Sequence, residues 1–254
     1  MGLITYRIYI ESISIPLCQG ERMEVGEYHK MHQLEHQNWW YLARVDLIER
    51  LIRQHASSFD SILDIGCGAG TLLERYPHIK RMGIETHPVA QKYARDKGIT
   101  IHDSLNTVHS SFDVILLMDV LEHVKEDRAF LKKALKLLNP NGIVIITVPA
   151  FQWLWSKHDE LVHHLRRYSK KELVQCIREA DADCVHSSYW NASFFLPAWV
   201  KKKILSSEES DLSHVNPIIN QGMLSILTLE NFLSTKTKIL PFGTSVYAVV
   251  KKKG

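Results

Sequence analysis

The chain has 254 residues, of which 45% are hydrophobic and 23% charged, a composition that excludes a disordered or fibrous protein and suits one large domain or two small ones. Thirty-one Lys and Arg against 28 Asp and Glu leave a net charge of +3, too small and too dispersed for a nucleic-acid footprint; the dense basic runs are Lys201 to Lys203 and Lys251 to Lys253. Charges such as Asp119 and Glu122 break the apolar stretches before the roughly 18 residues that a membrane-spanning helix needs, and Cys18, Cys67, Cys176 and Cys184 form no C-x-x-C pair or tight framework, so a soluble protein of a reducing cytoplasm is expected.

Residues 1–28 read as an N-terminal arm, in which Arg7 and Glu11 interrupt the apolar run of an export signal. The domain proper is expected over 29–254. Apolar residues at Met31, Leu34, Trp39, Leu42, Val45, Leu47, Ile48 and Leu51 follow the helical period and predict one or two helices. Ser61 to Ile65 is a short apolar run that carries Asp64 and leads into Gly66, Gly68 and Gly70, the pattern of a buried strand, a tight loop and a helix. Strands follow at Arg81 to Glu85, Ile99 to His102 and Asp113 to Met118, with a helix from Val89 to Lys97 between the first two. A helix from Lys125 to Leu138 should stop at the breaker cluster Asn139-Pro140-Asn141-Gly142, ahead of a strand from Ile143 to Val148. Ser169 with Glu172 is a capping box opening a helix to about Ala182. Cys184 to Trp190 and Ser245 to Lys251 are the last strands, and the long connection 191–243 reads as an insert or cap. The rhythm is that of a doubly wound α/β domain, Rossmann-like, with helical additions.

Glycines at the end of a first strand let the backbone turn sharply and approach a ligand, so a nucleotide-like cofactor is the natural tenant of Ile62 to Gly70. A dinucleotide loop, G-x-G-x-x-G, would need glycine at position 71, where Thr71 stands. Glu85 lies where a carboxylate accepts from ribose hydroxyls, a device shared by several cofactors.

These segments in order, Asp64 to Gly70, Glu85, Asp103 after the third strand, Met118-Asp119-Val120-Leu121-Glu122-His123-Val124, then Asn139 to Gly142, resemble the class I S-adenosylmethionine-dependent methyltransferases over about residues 58 to 190. The resemblance implies a seven-stranded sheet with the last strand antiparallel. It also implies that the backbone around Asp64, Gly66, Cys67, Gly68 and Gly70 holds the methionine part of S-adenosylmethionine. Glu85, with Thr86 beside it, would hold the ribose, Asp103 and Ser104 would stand at the adenine, and Met118 and Asp119 would line the pocket. Glu85→Ala is expected to weaken the cofactor while leaving the fold intact.

Methyl transfer to oxygen wants a base near the acceptor. The candidates are His123 after the fourth strand, and His158 with His163 after the fifth. Asp119, Glu122 and His123 also resemble the metal-binding set of ubiquinone-pathway O-methyltransferases, yet no metal is assigned, and the zincin pattern fails at Asp159 and Val162. Trp39-Trp40-Tyr41 with Arg44, and His158-Asp159-Glu160 followed by His163, Arg166, Arg167 and Tyr168, resemble a bacterial methyltransferase subgroup often linked to surface-polysaccharide or glycolipid synthesis. By that resemblance Arg44 pairs the cofactor carboxylate, and Arg166 and Arg167 could grip an acceptor phosphate or carboxylate. The catalytic set is then His123, His158, Asp159 and Arg166. Phe194 to Trp199 with the lysines behind it suits either a cover over the site or contact with an anionic membrane. The expected activity is methylation, by way of oxygen, of a small-molecule or lipid-linked acceptor. The alternatives are a non-catalytic S-adenosylmethionine-binding subunit and an NAD-dependent oxidoreductase, the latter lacking a lysine four residues after Tyr168, where Glu172 stands.

Overall fold

A computed structural model describes residues 34–56, 58–195, 216–237 and 240–253. The expected arm 1–28 and the basic stretch around Lys201 lie outside them. The chain runs through α1 (Trp39–His55), β1 (Ser61–Ile65), β2 (Lys80–Ile84), α2 (Pro88–Asp96), β3 (Thr100–His102), β4 (Phe112–Met118) and α3 (Asp127–Lys136). Then come β5 (Leu138–Pro149), the single turn α4 (Lys157–Leu161), α5 (Lys170–Glu179), β6 (Ala182–Trp190), α6 (Pro217–Thr237) and β7 (Ser245–Lys252).

The seven strands form one sheet in the order β3-β2-β1-β4-β5-β7-β6. β1 pairs in parallel with β2 and β4, β4 with β5, and β7 enters antiparallel between β5 and β6. This is the seven-stranded arrangement with a reversed last strand that the motifs implied. The carboxyl ends of β1, β2, β4, β5 and β6 and the start of β7 therefore share one edge, where ligands bind in open α/β sheets.

Two apolar cores hold the sheet. On one face Leu47, Ile48 and Leu51 of α1 pack with Leu227 of α6, Trp190 and Tyr247. On the other, Phe130, Leu131, Leu173 and Ile177 of α3 and α5 cover Ile115, Ile146, Val246 and Val250 of the strands. The α1 side chains are fully buried, worth roughly 1.5–3 kcal/mol each. Asn38 caps α1 by accepting from Trp40 N at 2.9 Å, and the predicted capping box at Ser169 is present in both directions. Asn231 of α6 ties the late connection to the core: it accepts from Trp190 Nε1 and donates to Ala43 O and Asp46, each at 2.8 Å.

Two expectations change. The glycine loop opens no α-helix; only a 3-10 turn at Leu73–Arg75 follows, because Pro77 forces Tyr76 out of the helical region shortly after Gly70. The breaker cluster does not delimit β5, which starts at Leu138 and carries Asn141 at φ 66 inside it. The register shift between Phe112 and Val114 absorbs the irregularity.

Candidate functional site

The glycine-loop side of the edge is built from backbone. Gly66, Gly68 and Gly70 all have positive φ, and the amides of Gly66 and Cys67 donate to Ile84 O, so the loop folds back over the end of β2. Cys67 turns its buried sulfur inward, where a Cβ on Gly83 would collide with it. Gly70 is reserved for packing as well, since a Cβ there would stand 2.5 Å from Ile99 Cδ1. Gly83 is thus a position that the motifs do not reveal; a lone glycine in a strand, the sign of a close approach, was its signal.

Asp64 ends this side in an unusual state. It is 1% exposed, and neither carboxylate oxygen has a hydrogen-bond partner among the described residues. Burial pushes its pKa up to about 7, against the pull of Arg44. A buried acid left without donors costs stability unless something else supplies a donor or a charge. Glu85 is different: its Oε2 accepts from Gly68 N at 3.0 Å and its Oε1 from Thr86 N and His87 N, both at 2.7 Å. Burial raises its pKa, and the three amides oppose the rise. Asp103 is exposed just past β3, and Ser104 next to it accepts from Asn106 N at 3.2 Å. Met118, partly buried, closes β4.

Asp119 sits at the centre of the edge in the left-handed region, φ 54, where side-chain contacts fix it. Its Oδ1 accepts from Thr147 Oγ1 at 3.2 Å and its Oδ2 from Arg44 Nη1 at 2.8 Å. The Arg44 guanidinium lies 4.6 Å from the Trp40 ring centroid, a cation-π contact. The paired tryptophans take different neighbours: Trp39 contacts Phe194 and Trp40 contacts Trp190.

Beyond Asp119 the edge carries a net of charged side chains. Asp159, fully buried, accepts from His164 Nδ1 at 2.7 Å, from Arg167 Nε and Nη2 at 2.7 and 2.9 Å, and from Ser156 N at 2.8 Å. Burial alone would raise its pKa, but these donors hold the carboxyl well below the usual range. Arg166 donates to Asp127 Oδ2 at 3.0 Å and to Lys125 O at 2.8 Å, and the same Asp127 oxygen accepts from Tyr168 OH at 2.7 Å. Asp159 and Arg166, both expected in the catalytic set, hold the segment between β5 and α5 through these bonds. His163, at φ 58, turns outward, and it is His164 that faces the interior. His158 is exposed at the rim, its ring centroid 6.5 Å from that of His164.

Within this net lies a second unsatisfied acid. Glu122 is 0% exposed with no hydrogen-bond partner on either oxygen among the described residues, and burial, aided by Asp119, pushes its pKa far up. His164 Nε2 approaches it to 3.9 Å. Glu122, His123 and His164 each offer one donor atom, all within 4.8 Å of one another, a carboxylate and imidazole set that suits a divalent cation. Asp119, named with Glu122 and His123 in the sequence pattern, is turned to Arg44 instead, and His164 takes the third place. His123 is pushed down to about 4 by burial and by His164, so it stays neutral near pH 7.

No described helix is long and apolar enough to cross a membrane. Comparison with known proteins places this geometry. A methyltransferase-domain family matches residues 29–187. The ubiquinone biosynthesis O-methyltransferase of Cereibacter sphaeroides ATCC 17029 is 28% identical over 200 residues, covering 63% of this chain and 76% of its own length. That of Azorhizobium caulinodans is 36% identical over 98 residues, covering 34% of this chain and 39% of its own, so the match spans about two fifths of that relative. Among solved structures, an S-adenosylmethionine-dependent methyltransferase from Clostridium acetobutylicum aligns with TM-score 0.59 and 13% identity over 89% of this chain and 99% of its own. The plantazolicin methyltransferase BamL, crystallised with a substrate analogue and S-adenosylhomocysteine, aligns with TM-score 0.58 and 16% identity over 90% of this chain and 91% of its own. The match over most of the chain, the seven-stranded sheet and the glycine loop with its buried acids lead to one assignment: the chain belongs to the methyltransferase-domain family, of the class I fold that uses S-adenosylmethionine.

Proposed function

We propose that the protein transfers the methyl group of S-adenosylmethionine to an oxygen of a small molecule, or of the head group of a lipid-linked one, in the cytoplasm. The observation that carries the reading is the placement of His123 one turn beyond Asp119 at the carboxyl end of β4, where an acceptor hydroxyl would meet an imidazole. The names of the ubiquinone-pathway relatives support oxygen as the acceptor.

S-adenosylmethionine supplies an electrophilic methyl on a sulfonium. The chain's own residues bind and orient it. The turn through Gly66, Cys67, Gly68 and Gly70, whose amides are spent on Ile84 O, Glu85 and Cys67 O, would lie against its methionine part, and Asp64 would meet its ammonium group, the donor that the buried carboxylate lacks. Glu85 and the Thr86 turn take the ribose, Asp103 and Ser104 the adenine, and Met118 forms the apolar wall. Arg44, which donates to Asp119, would pair the cofactor carboxylate and divide itself between the two. His123 accepts the acceptor's proton, with His158 at the entrance, while Asp159 and Arg166 act as positioning residues that hold the wall carrying His164.

A second reading of the same step is favoured by the unsatisfied Glu122. With His123 and His164 it would hold a divalent cation, which would lower the pKa of an acceptor hydroxyl. Purified protein incubated with S-adenosylmethionine and a panel of phenols, hydroxy sugars and amines should form S-adenosylhomocysteine with hydroxyl acceptors. Turnover confined to amines would overturn oxygen as the nucleophile. Loss of turnover in a chelator, restored by added metal, selects the cation over the histidine as the activating group.

A further inference from the structure

α6 belongs to the long connection between β6 and β7, yet its buried polar contacts go to α1 and the segment just ahead of it. Asn231, fully buried, uses both ends of its amide: Oδ1 accepts from Trp190 Nε1 at the end of β6, and Nδ2 donates to Ala43 O and Asp46 Oδ2, each at 2.8 Å. About three turns earlier on the same face of α6, Asn220 Oδ1 accepts from Trp39 N and its Nδ2 donates to Gln37 O, both at 2.9 Å. Leu224 and Leu227 lie between the two asparagines and join the apolar core that holds α1. α6 thus grips the N-terminal backbone at two points, and each lies close in sequence to a side chain that reaches the sheet edge. Ala43 precedes Arg44, whose Nη1 donates to Asp119 Oδ2 at 2.8 Å. Gln37 ends the helical turn 34–37, in which Glu35 accepts a short hydrogen bond from Thr71 Oγ1 just past Gly70. Apolar contacts alone let a helix settle in neighbouring registers at little cost, whereas a buried amide with directional partners selects one. A slip of α1 by one residue, about 1.5 Å along its axis and about 100° around it, would carry Arg44 off Asp119.

We propose that Asn231, with Asn220 beside it on α6, is a positioning residue for the cofactor: it fixes the register of α1 against the sheet so that Arg44 stands at the edge where S-adenosylmethionine binds. The inference rests on the reading above, in which Arg44 pairs the cofactor carboxylate. Neither asparagine touches the ligand; both act through α1. Asn231 is the stronger of the two, because it joins the sheet, at Trp190, to the helix backbone next to Arg44 in a single side chain. The described part of the connection between β6 and β7 thereby contributes to the cofactor side without lining it.

The test is a double-mutant cycle on the full chain, read as S-adenosylmethionine affinity by calorimetry. Arg44→Met removes the guanidinium and Asn231→Ala removes the amide. The dissociation constant should rise about 10-fold in the first and about 5-fold in the second, the loss and the misplacement of one charge-assisted pair. In the double variant it should stay within about 2-fold of Arg44→Met alone, because two changes that act through one side chain do not add. Asn139→Ala is the control for lost stability: it breaks a bond to Asp113 at the opposite edge of the sheet and should leave the affinity unchanged. Melting curves verify the fold of each variant. If Asn231→Ala is unfolded, Asn220→Ala, at a half-buried position, takes its place in the same cycle with the same non-additivity expected. Unchanged affinity in the folded asparagine variant, a double variant whose loss is the product of the single ones, or a control that weakens the ligand equally would each make the asparagine a packing residue and overturn the proposal. A wild-type chain that binds no S-adenosylmethionine overturns the cofactor reading, and Arg44→Met with wild-type affinity overturns the role of Arg44; either takes this inference with it. Both are distinct from the case in which Arg44→Met weakens binding and the asparagine variant does not.

Discussion

Asp64 and Asp159 are both buried aspartates near the same sheet edge, and the fold treats them in opposite ways. Asp159 is surrounded by donors from His164, Arg167 and Ser156, and its carboxyl is held well below the usual range. Asp64 has no donor among the described residues and its pKa is pushed up to about 7. Burial disfavours the charge of both; the difference is what else was placed within reach. A carboxylate that a chain completes by itself belongs to its architecture, whereas one left incomplete is waiting for a group from outside. The segment after β5 is thus a structural net around Asp159 and Asp127, and the glycine-loop side is a backbone cradle around an acid that the described residues leave without donors.

The strongest way to break this comparison is Asp159→Ala. It strands the Arg167 guanidinium and frees His164 in a buried place, so stability should fall by about 3–5 kcal/mol, the usual cost of removing one partner of a buried pair. Denaturant unfolding measures it. A loss below about 1 kcal/mol would mean that the net is ornamental and that Asp159 is available for chemistry after all.

Asp64→Asn should do the reverse. The folded pKa of Asp64, about 7, lies above its ordinary 3.8, so the folded state binds the proton more tightly than the unfolded one. The group's contribution is therefore fully favourable below pH 3.8 and is lost as pH rises through about 7. At pH 8 the neutral asparagine should stabilise the ligand-free protein by about 2 kcal/mol or more, and that gain should vanish near pH 4. The same variant should lose most of its affinity for S-adenosylmethionine. Wild-type binding at pH 7 should release a fraction of a proton, visible as a dependence of the calorimetric heat on the buffer. A variant that is destabilised at pH 8 would place Asp64 with Asp159, among the structural acids.

How much of each side could be read in the sequence follows from the same contrast. The cofactor side is local: strand, glycines and acid are contiguous from Ser61 to Gly70, and Glu85 ends the next strand, so spacing alone locates them. The central strands β1 and β4 were legible for the same reason, each being a short, mostly apolar run. The acceptor side is assembled from residues such as Glu122, Asp127, Asp159, His164 and Arg166 that meet only in three dimensions. Whether His163 or His164 points inward depends on a single residue at φ 58, which no composition or period reveals. The charge pattern marked the segment as important, but it could not say that Asp159 and Arg166 are committed to holding it. Glu35 was equally hidden, because its partner Thr71 lies far from it in sequence.

Glu85 stands between the two cases and gives the finest test. It is the acid proposed to take the ribose, yet it also accepts from three backbone amides, so Glu85→Ala cannot be expected to leave the fold untouched, as the strand-end position alone suggested. Removing the carboxylate orphans the amides of Gly68, Thr86 and His87, at about 1–3 kcal/mol for a buried donor left without an acceptor. Glu85→Gln retains one oxygen and should cost about 1 kcal/mol. Cofactor affinity separates the two roles. If the carboxylate serves only the loop, binding should fall in step with stability and recover in Glu85→Gln. If it also holds the ribose, Glu85→Gln should keep most of the stability and still bind the cofactor more weakly, because the charge-assisted bonds to the hydroxyls are about twice as strong as neutral ones. The second outcome is expected, since Oε1 accepts from two amides and Oε2 from one, which leaves one acceptor position on Oε2 for a ligand.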